Sequence, residues 1–480
     1  GFRPAVAELY FVVLGGGTAR RCVPGRPPAL SPRQSMADKP DISEASLRYH
    51  QFPQPGKIET GLSKPCETQA ELALAYTPGV ATPCNAIHAD PATVWEYTGK
   101  GNAVAVVSDG TAVLGLGNIG PDAAMPVMEG KAVLFKRFAD IDATPVCLTH
   151  VFTADGHTDT AKLIEVVATF EPTYGGINLE DIENPKCFYI LEKLRAESPI
   201  PVWHDDQQGT AAVTLAGLVN ALKIVGKKIE DAKITMIGIG AANVCIVRML
   251  IKAGADPKNI IVVDSKGILN RRRDDIKPNY KEKLELAQTT NGEGRDGDMA
   301  VALKRQDVLI ALSRSGPDVI QKDWVASMAD NAIVFVCANP IPEMWPWDAK
   351  EAGARIVATG RSDFPNQVNN SVGFPAIFRG TLDVMARTIT DEMCIAAAYE
   401  LARFAEDTGL NEDHLLPTMS EWEVFPREAV AVAKMAMKQG VARLSIDEKE
   451  LYNMAVSKIR RARDQLDLLM EKGIIAPYEE

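Results

Sequence analysis

The chain has 480 residues, 46% of them hydrophobic, with 52 Lys plus Arg against 63 Asp plus Glu, a net charge of −11. This is a globular composition, too long for one ordinary core, and it predicts two or three domains. Basic residues cluster only at Arg271-Arg272-Arg273 and no uninterrupted apolar run reaches membrane-spanning length, so neither nucleic acid nor a membrane is expected as a partner.

In chain order, residues 1–35 carry Arg3, Arg20, Arg21, Arg26 and Arg33 against Glu8 alone and are rich in Gly and Pro. They read as a non-native or disordered extension, with Met36 as the natural start. Residues 41–91 are short helices and turns punctuated by Pro53, Pro55, Pro65, Pro78 and Pro83. Strands are expected at 102–108, 146–152 and 200–203, with helices at 159–170 and 185–195 between them. Such alternation implies a parallel sheet. Residues 210–225 form a long apolar helix, uncharged before Lys223 and therefore buried. A second set of strands follows at 233–237, 260–264, 308–311, 333–337 and 356–359. From Gly380 onward the pattern is helical. The eight cysteines are scattered with no Cys-x-x-Cys pair, which argues against a disulfide framework or zinc site and for a reducing, cytoplasmic setting.

Two acidic clusters stand out: Asn178-Leu179-Glu180-Asp181 and, 25 residues on, His204-Asp205-Asp206-Gln207-Gln208-Gly209-Thr210. Each lies at the end of an apolar run, not on a solvated face. Four carboxylates brought together repel and are costly to bury unless a cation neutralises them, and oxygen-only donors suit Mg²⁺ or Mn²⁺. The plainer reading is that one pair caps a helix and the other ends a strand. His204 reads as a residue that packs beside the acids or supports them, not as a ligand.

Two stretches resemble dinucleotide turns. Gly115-Leu116-Gly117-Asn118-Ile119-Gly120 fits Gly-x-Gly-x-x-Gly letter for letter. Pro121 and Pro126 follow, however, so no long helix or βαβ unit is expected there and it reads as a turn near the substrate. Gly238-Ile239-Gly240-Ala241-Ala242-Asn243 has Asn243 at the third glycine, but a strand precedes it and an apolar helix follows. The next strand ends in Asp264, placed for a ribose hydroxyl, while Ser265 and Lys266 suit a 2′-phosphate. NAD and NADP both remain open.

The segments Ala75-Tyr76-Thr77-Pro78-Gly79-Val80, Gly115 to Gly120, Met128-Glu129-Gly130-Lys131, Asn178 to Asp181, Asp205 to Thr210 and Asn366-Gln367-Val368-Asn369-Asn370, in that order, resemble the malic enzymes over about residues 49–444. The shorter bacterial type is the most similar. The resemblance implies an α/β fold: a smaller α/β substrate and metal domain (36–204), a Rossmann-like NAD(P)-binding domain (205–370) and a helical C-terminal region (371–480) returning to the first. It implies oxidative decarboxylation of (S)-malate to pyruvate, a small-molecule substrate, at least a homodimer, and Glu180, Asp181 and Asp206 as metal ligands. Lys131 is similar to the family's general base, Asp205 to its partner and Tyr76 to its general acid. Asn339, Asn369 and Asn370 fall where the family contacts nicotinamide ribose and substrate. Larger members have a carboxylate-binding arginine where this chain has Ala112, which leaves that role to backbone amides, Asn370 or another base. A malolactic enzyme, which keeps NAD bound and releases lactate, and a non-catalytic nucleotide sensor are the competing readings.

Overall fold

In the computed structural model residues 42–113 and 115–476 are described, so the N-terminal extension and Met36 lie outside the described residues. The chain falls into two units, residues 1–44 and 45–480, and both sheets lie in the second.

Four strands, β1 (Ala103–Ser108), β2 (Asp142–Cys147), β3 (Gly176–Leu179) and β4 (Val202–His204), form a parallel sheet in the order β2-β1-β3-β4. Parallel neighbours need crossovers, supplied here by the helices Pro121–Ala139, Thr160–Ala168 and Lys186–Glu197. Val104 to Val107 and all of β3 are buried, so these strands read as apolar runs without alternation. All four carboxyl ends therefore face one edge of the sheet.

The second sheet contains β5 (Ile234–Ile237), β6 (Ile260–Asp264), β7 (Gly267–Ile268), β8 (Val308–Ala311), β9 (Ile333–Val336) and β10 (Ile356–Thr359), in the order β10-β9-β8-β5-β6-β7. All pairs are parallel except β6 with β7. The order reverses at β5, which opens a crevice at the carboxyl ends of β5 and β8 where Rossmann-like sheets take ligands.

The helix Thr210–Val225 is buried along most of its length. Among the described residues the stretch Asp205–Val225 is the one helical segment long and apolar enough to cross a membrane, and 72% of its apolar window is buried in the interior. The helices Phe374–Asp383, Asp391–Gly409, Val424–Lys438 and Glu448–Glu471 complete the C-terminal region, and the last packs back on Pro121–Ala139.

Three expectations are corrected. A 19-residue helix does open after Gly120, and with β1 and β2 it makes a βαβ unit. Pro121 takes the first helical position, where its missing N–H costs nothing; Pro126 frees the carbonyl of exposed Asp122 at the helix start. The strand expected at 146–152 instead ends at Cys147, because His150 adopts a left-handed φ of 62° and breaks the extended run.

Candidate active site

Leu179 pairs with His204 across β3 and β4, so the residues that follow each emerge side by side. Asp181 turns through a left-handed φ of 54°, and its N–H donates to Asp206 Oδ2 at 2.8 Å. One carboxylate oxygen each from Glu180, Asp181 and Asp206 lie within 4.8 Å of one another. Burial pushes the Glu180 carboxyl well above its ordinary range; Lys131 opposes this, and Asp206, Asp205 and Asp181 add to it. Three converging carboxylates with no nitrogen or sulfur donor fit a hard divalent cation such as Mg²⁺ or Mn²⁺.

Asp205 is fully buried and is not one of that trio, although it shares the Lys131 ammonium with Glu180. Its Oδ2 accepts from the Lys131 ammonium and from Asn370 Nδ2 (2.8 Å), and its Oδ1 from Trp203 Nε1 (3.3 Å). Gly209 is required here, since a Cβ would lie 1.9 Å from Asp205 Oδ1. Lys131 sits in the middle of its helix, 3.1 Å from Glu180 Oε1 and 4.8 Å above the Phe374 ring. Burial favours the neutral amine, but Asp205, Glu180 and Asp206 outweigh it and hold the ammonium above the ordinary lysine range. His204 is wholly buried, 3.6 Å from Asp206 Oδ2, and burial lowers its pKa, in keeping with a neutral packing residue.

The Gly238–Gly240 turn lies between β5 and the helix Ala241–Lys252, at the crevice. Gly238 has φ 108°, and a Cβ there would meet Leu312 O at 2.4 Å. Asn243 replaces the third glycine with a staple: its Nδ2 donates to Ile237 O (2.8 Å), Gly238 O (3.1 Å) and Leu312 O (3.3 Å). Ala241 and Ala242 open the helix with no side-chain cap, leaving backbone N–H groups for an anion.

Asp264 ends β6 as expected, but its carboxylate is already engaged. It accepts from Arg273 (3.0 and 3.3 Å), from Lys283 Nζ (2.5 Å) and from the Lys266 N–H (2.8 Å). Lys266 Nζ pairs with Asp275 at 2.8 Å, and Ser265 is exposed. Arg273 stood out in the sequence only as part of the basic run Arg271-Arg272-Arg273, with nothing to tie it to Asp264, and Lys283, on the helix Lys281–Thr289, carried no signal.

Asn369 Oδ1 accepts the Ser371 N–H at 2.9 Å and so caps the turn that presents Asn370. Asn339 follows β9, and a Cβ on Gly115 would lie 2.5 Å from its carbonyl oxygen. The first glycine turn is thus a close approach to the second sheet. The Ala112 N–H donates to Asp181 O at 3.0 Å, so the place of the expected arginine abuts the acidic loop. Tyr76 is not gathered in: it is 66% exposed after the helix Gln69–Ala75, and among the described residues no hydrogen bond joins it to Lys131.

Two family models cover most of the chain: "Malic enzyme, N-terminal domain" matches residues 55–195 and "Malic enzyme, NAD binding domain" residues 207–437. The bifunctional malic/malolactic enzyme of Bacillus subtilis is 48% identical over 412 residues, 85% of this chain and 97% of that protein. The NAD-dependent malic enzyme of Geobacillus stearothermophilus is 48% identical, covering 81% of this chain and 78% of its own. The NADP-dependent malic enzyme of Haemophilus influenzae is 45% identical over 86% of this chain, which spans 54% of that longer protein. The crystal structure of Entamoeba histolytica malic enzyme superposes with a TM-score of 0.90 at 45% identity, over 94% of both chains. With both domains matched and the Bacillus subtilis relative 48% identical over 97% of its length, the chain belongs to the malic enzyme family and is of its bacterial type.

Proposed function

We propose that this chain oxidatively decarboxylates (S)-malate to pyruvate and CO₂ with reduction of NAD(P)⁺, using a divalent cation. The observation that carries the reading is the Lys131–Asp205 pair beside the Glu180, Asp181 and Asp206 cluster. A cation held by those three carboxylates would polarise the oxygen on C2 and ease both loss of its proton and departure of CO₂. Lys131 takes the hydroxyl proton as hydride leaves C2 for the nicotinamide. With the other acids committed to an ion, Lys131 keeps Asp205 as its counter-charge, and its desolvation by burial then favours release of its proton. Asn370 and Trp203 hold Asp205 in place.

Tyr76 is the proton donor to C3. Its exposure, shared by Leu62, Leu72, Leu74 and Tyr97, supports a homodimer in which Tyr76 serves the Lys131 of a second copy. Mixing Lys131→Ala with Tyr76→Phe subunits should then restore turnover, whereas no recovery would place the tyrosine in its own chain's site.

For the cofactor, Asp264 supports NADP over NAD. With Arg273, Lys283 and the Lys266 N–H on its carboxylate, it has little acceptor capacity left for a ribose 2′-hydroxyl, while the cations it gathers suit a phosphate. The reading keeps the division at 36–204, 205–370 and 371–480 and a cytoplasmic setting. The name of the Bacillus subtilis relative makes malolactic conversion the second reading. Incubation with malate, Mn²⁺ and either cofactor tests both: reduced nicotinamide with pyruvate supports the first, lactate without net reduction the second.

A further inference from the structure

The loop that supplies Glu180 and Asp181 continues through Asn184 into the helix Lys186–Glu197, and Asn184 reaches the other sheet. Its Nδ2 donates to the carbonyl oxygen of Ile239 at 3.0 Å. Ile239 is the middle residue of the Gly238–Gly240 turn. The same oxygen accepts from the Tyr280 hydroxyl, and the Tyr280 ring lies 6.4 Å from that of Phe188, on the helix following Asn184. The turn has little freedom of its own, because Asn243 ties it to Ile237, Gly238 and Leu312. The acidic loop is equally fixed: Ala112 N–H bonds Asp181 O, the Glu183 N–H bonds Thr111 Oγ1, and Glu183 Oε1 accepts the Thr158 N–H. Two stiff segments thus meet at one hydrogen-bonded carbonyl.

We propose that Asn184 is a positioning residue that couples the carboxylate cluster to the dinucleotide turn, so that a divalent cation and the dinucleotide strengthen each other's binding. Drawing Glu180 and Asp181 onto an ion bears on the loop three residues upstream of Asn184 and, because that loop is stiff, on the carbonyl it holds. Fixing the turn around a pyrophosphate acts on the same bond from the other side. The coupling is reciprocal, as linkage between two binding equilibria requires. Asn is suited to the place because its amide donates to a carbonyl without carrying charge into a half-buried contact; aspartate has the same shape but no donor. The inference rests on the reading above that these two sites take an ion and a dinucleotide.

The test measures binding without malate, so that turnover plays no part. Calorimetric titration of the full chain with NADP⁺, once with Mn²⁺ and once with EDTA, is compared for the parent, Asn184→Asp and Asn184→Leu. In the parent, Mn²⁺ should tighten NADP⁺ by about fivefold or more, the lower end of ordinary allosteric coupling. In both variants that ratio should fall toward one, while Mn²⁺ binding in the absence of cofactor stays near the parental value. A general structural defect would weaken both ligands and leave the ratio intact. If either variant fails to fold, Tyr280→Phe, which removes the other donor to Ile239 O, should lower the ratio in the same direction. An unchanged ratio in folded variants, or a ratio of one in the parent, overturns the coupling. Failure of the parent to bind either ligand would overturn the underlying functional reading instead.

Discussion

Leu179 and His204 face each other across β3 and β4, and this pairing sets Glu180 beside Asp205 and Asp181 beside Asp206. A slip of one residue would turn the side chains of β4 to the opposite face of the sheet and disperse the cluster. The register is secured because Ile177, Leu179, Val202 and Trp203 are all buried. Packing of the sheet and assembly of the acids are therefore one event.

Asp206→Asn should lower Mn²⁺ affinity by more than about tenfold, since even second-sphere partners of a metal are worth that much. Isothermal titration with Mn²⁺ measures it. Affinity equal to the parent's would remove Asp206 from the ligand set.

Asp205→Asn should behave differently, with turnover falling further than Mn²⁺ affinity. The carboxylate partner of Lys131 is lost, while Glu180, Asp181 and Asp206 remain. Comparing kcat with the Mn²⁺ dissociation constant separates the two roles, and an equal fall in both would make Asp205 a ligand.

Gly209→Ala should cost about 100-fold in kcat, as angstrom-scale misplacement of catalytic groups does. The added Cβ would overlap Asp205 Oδ1 at 1.9 Å and push its carboxylate off Lys131. Steady-state kinetics on folded variant, checked by circular dichroism, suffices; parental kcat would contradict the crowding.

Arg273→Ser should raise KM for NADP⁺ and leave or lower KM for NAD⁺, because it removes a cation and frees acceptor sites on Asp264. The ratio of kcat/KM for the two cofactors is the measurement. A parallel loss with both would reduce Arg273 to a loop staple.

Glu428 is fully buried, both its carboxylate oxygens lack a hydrogen-bond partner among the described residues, and burial holds its pKa well above the ordinary range. Its folded-state pKa exceeds the unfolded value near 4.3, so the native state binds the proton more tightly. The stability it contributes is full below pH of about 4.3 and is lost as pH rises toward the folded pKa, at about 1.4 kcal/mol per pH unit. Glu428→Gln should therefore match the parent in Tm near pH 4 and exceed it by several degrees near pH 8. Parallel Tm curves would mean that Glu428 is ionised in the folded protein.

Much of this was legible in the chain itself. Buried parallel strands are short apolar runs, so β6, β8 and β10 fall where the sequence placed them, and the paired acids marked the ends of β3 and β4. The turn at Gly238 was recognisable from the strand before it and the helix after it. Local patterns report local constraints: burial, backbone freedom and the spacing of like charges.

Tertiary structure decided which partners each group has. Asp205 and Asp206 are neighbours of one chemical type, and their division into lysine partner and cluster member depends on Lys131, Asn370 and Asp181, which fold in from other elements. Asp264 looked free until Arg273 and Lys283 closed on it. Pro121 and Pro126 read as helix breakers, yet their helix carries Lys131, because Pro121 costs little at the first position and the carbonyl that Pro126 frees is that of exposed Asp122. Charge and hydrogen-bond partnership act through space, so the sequence named the candidate groups and the fold assigned their partners.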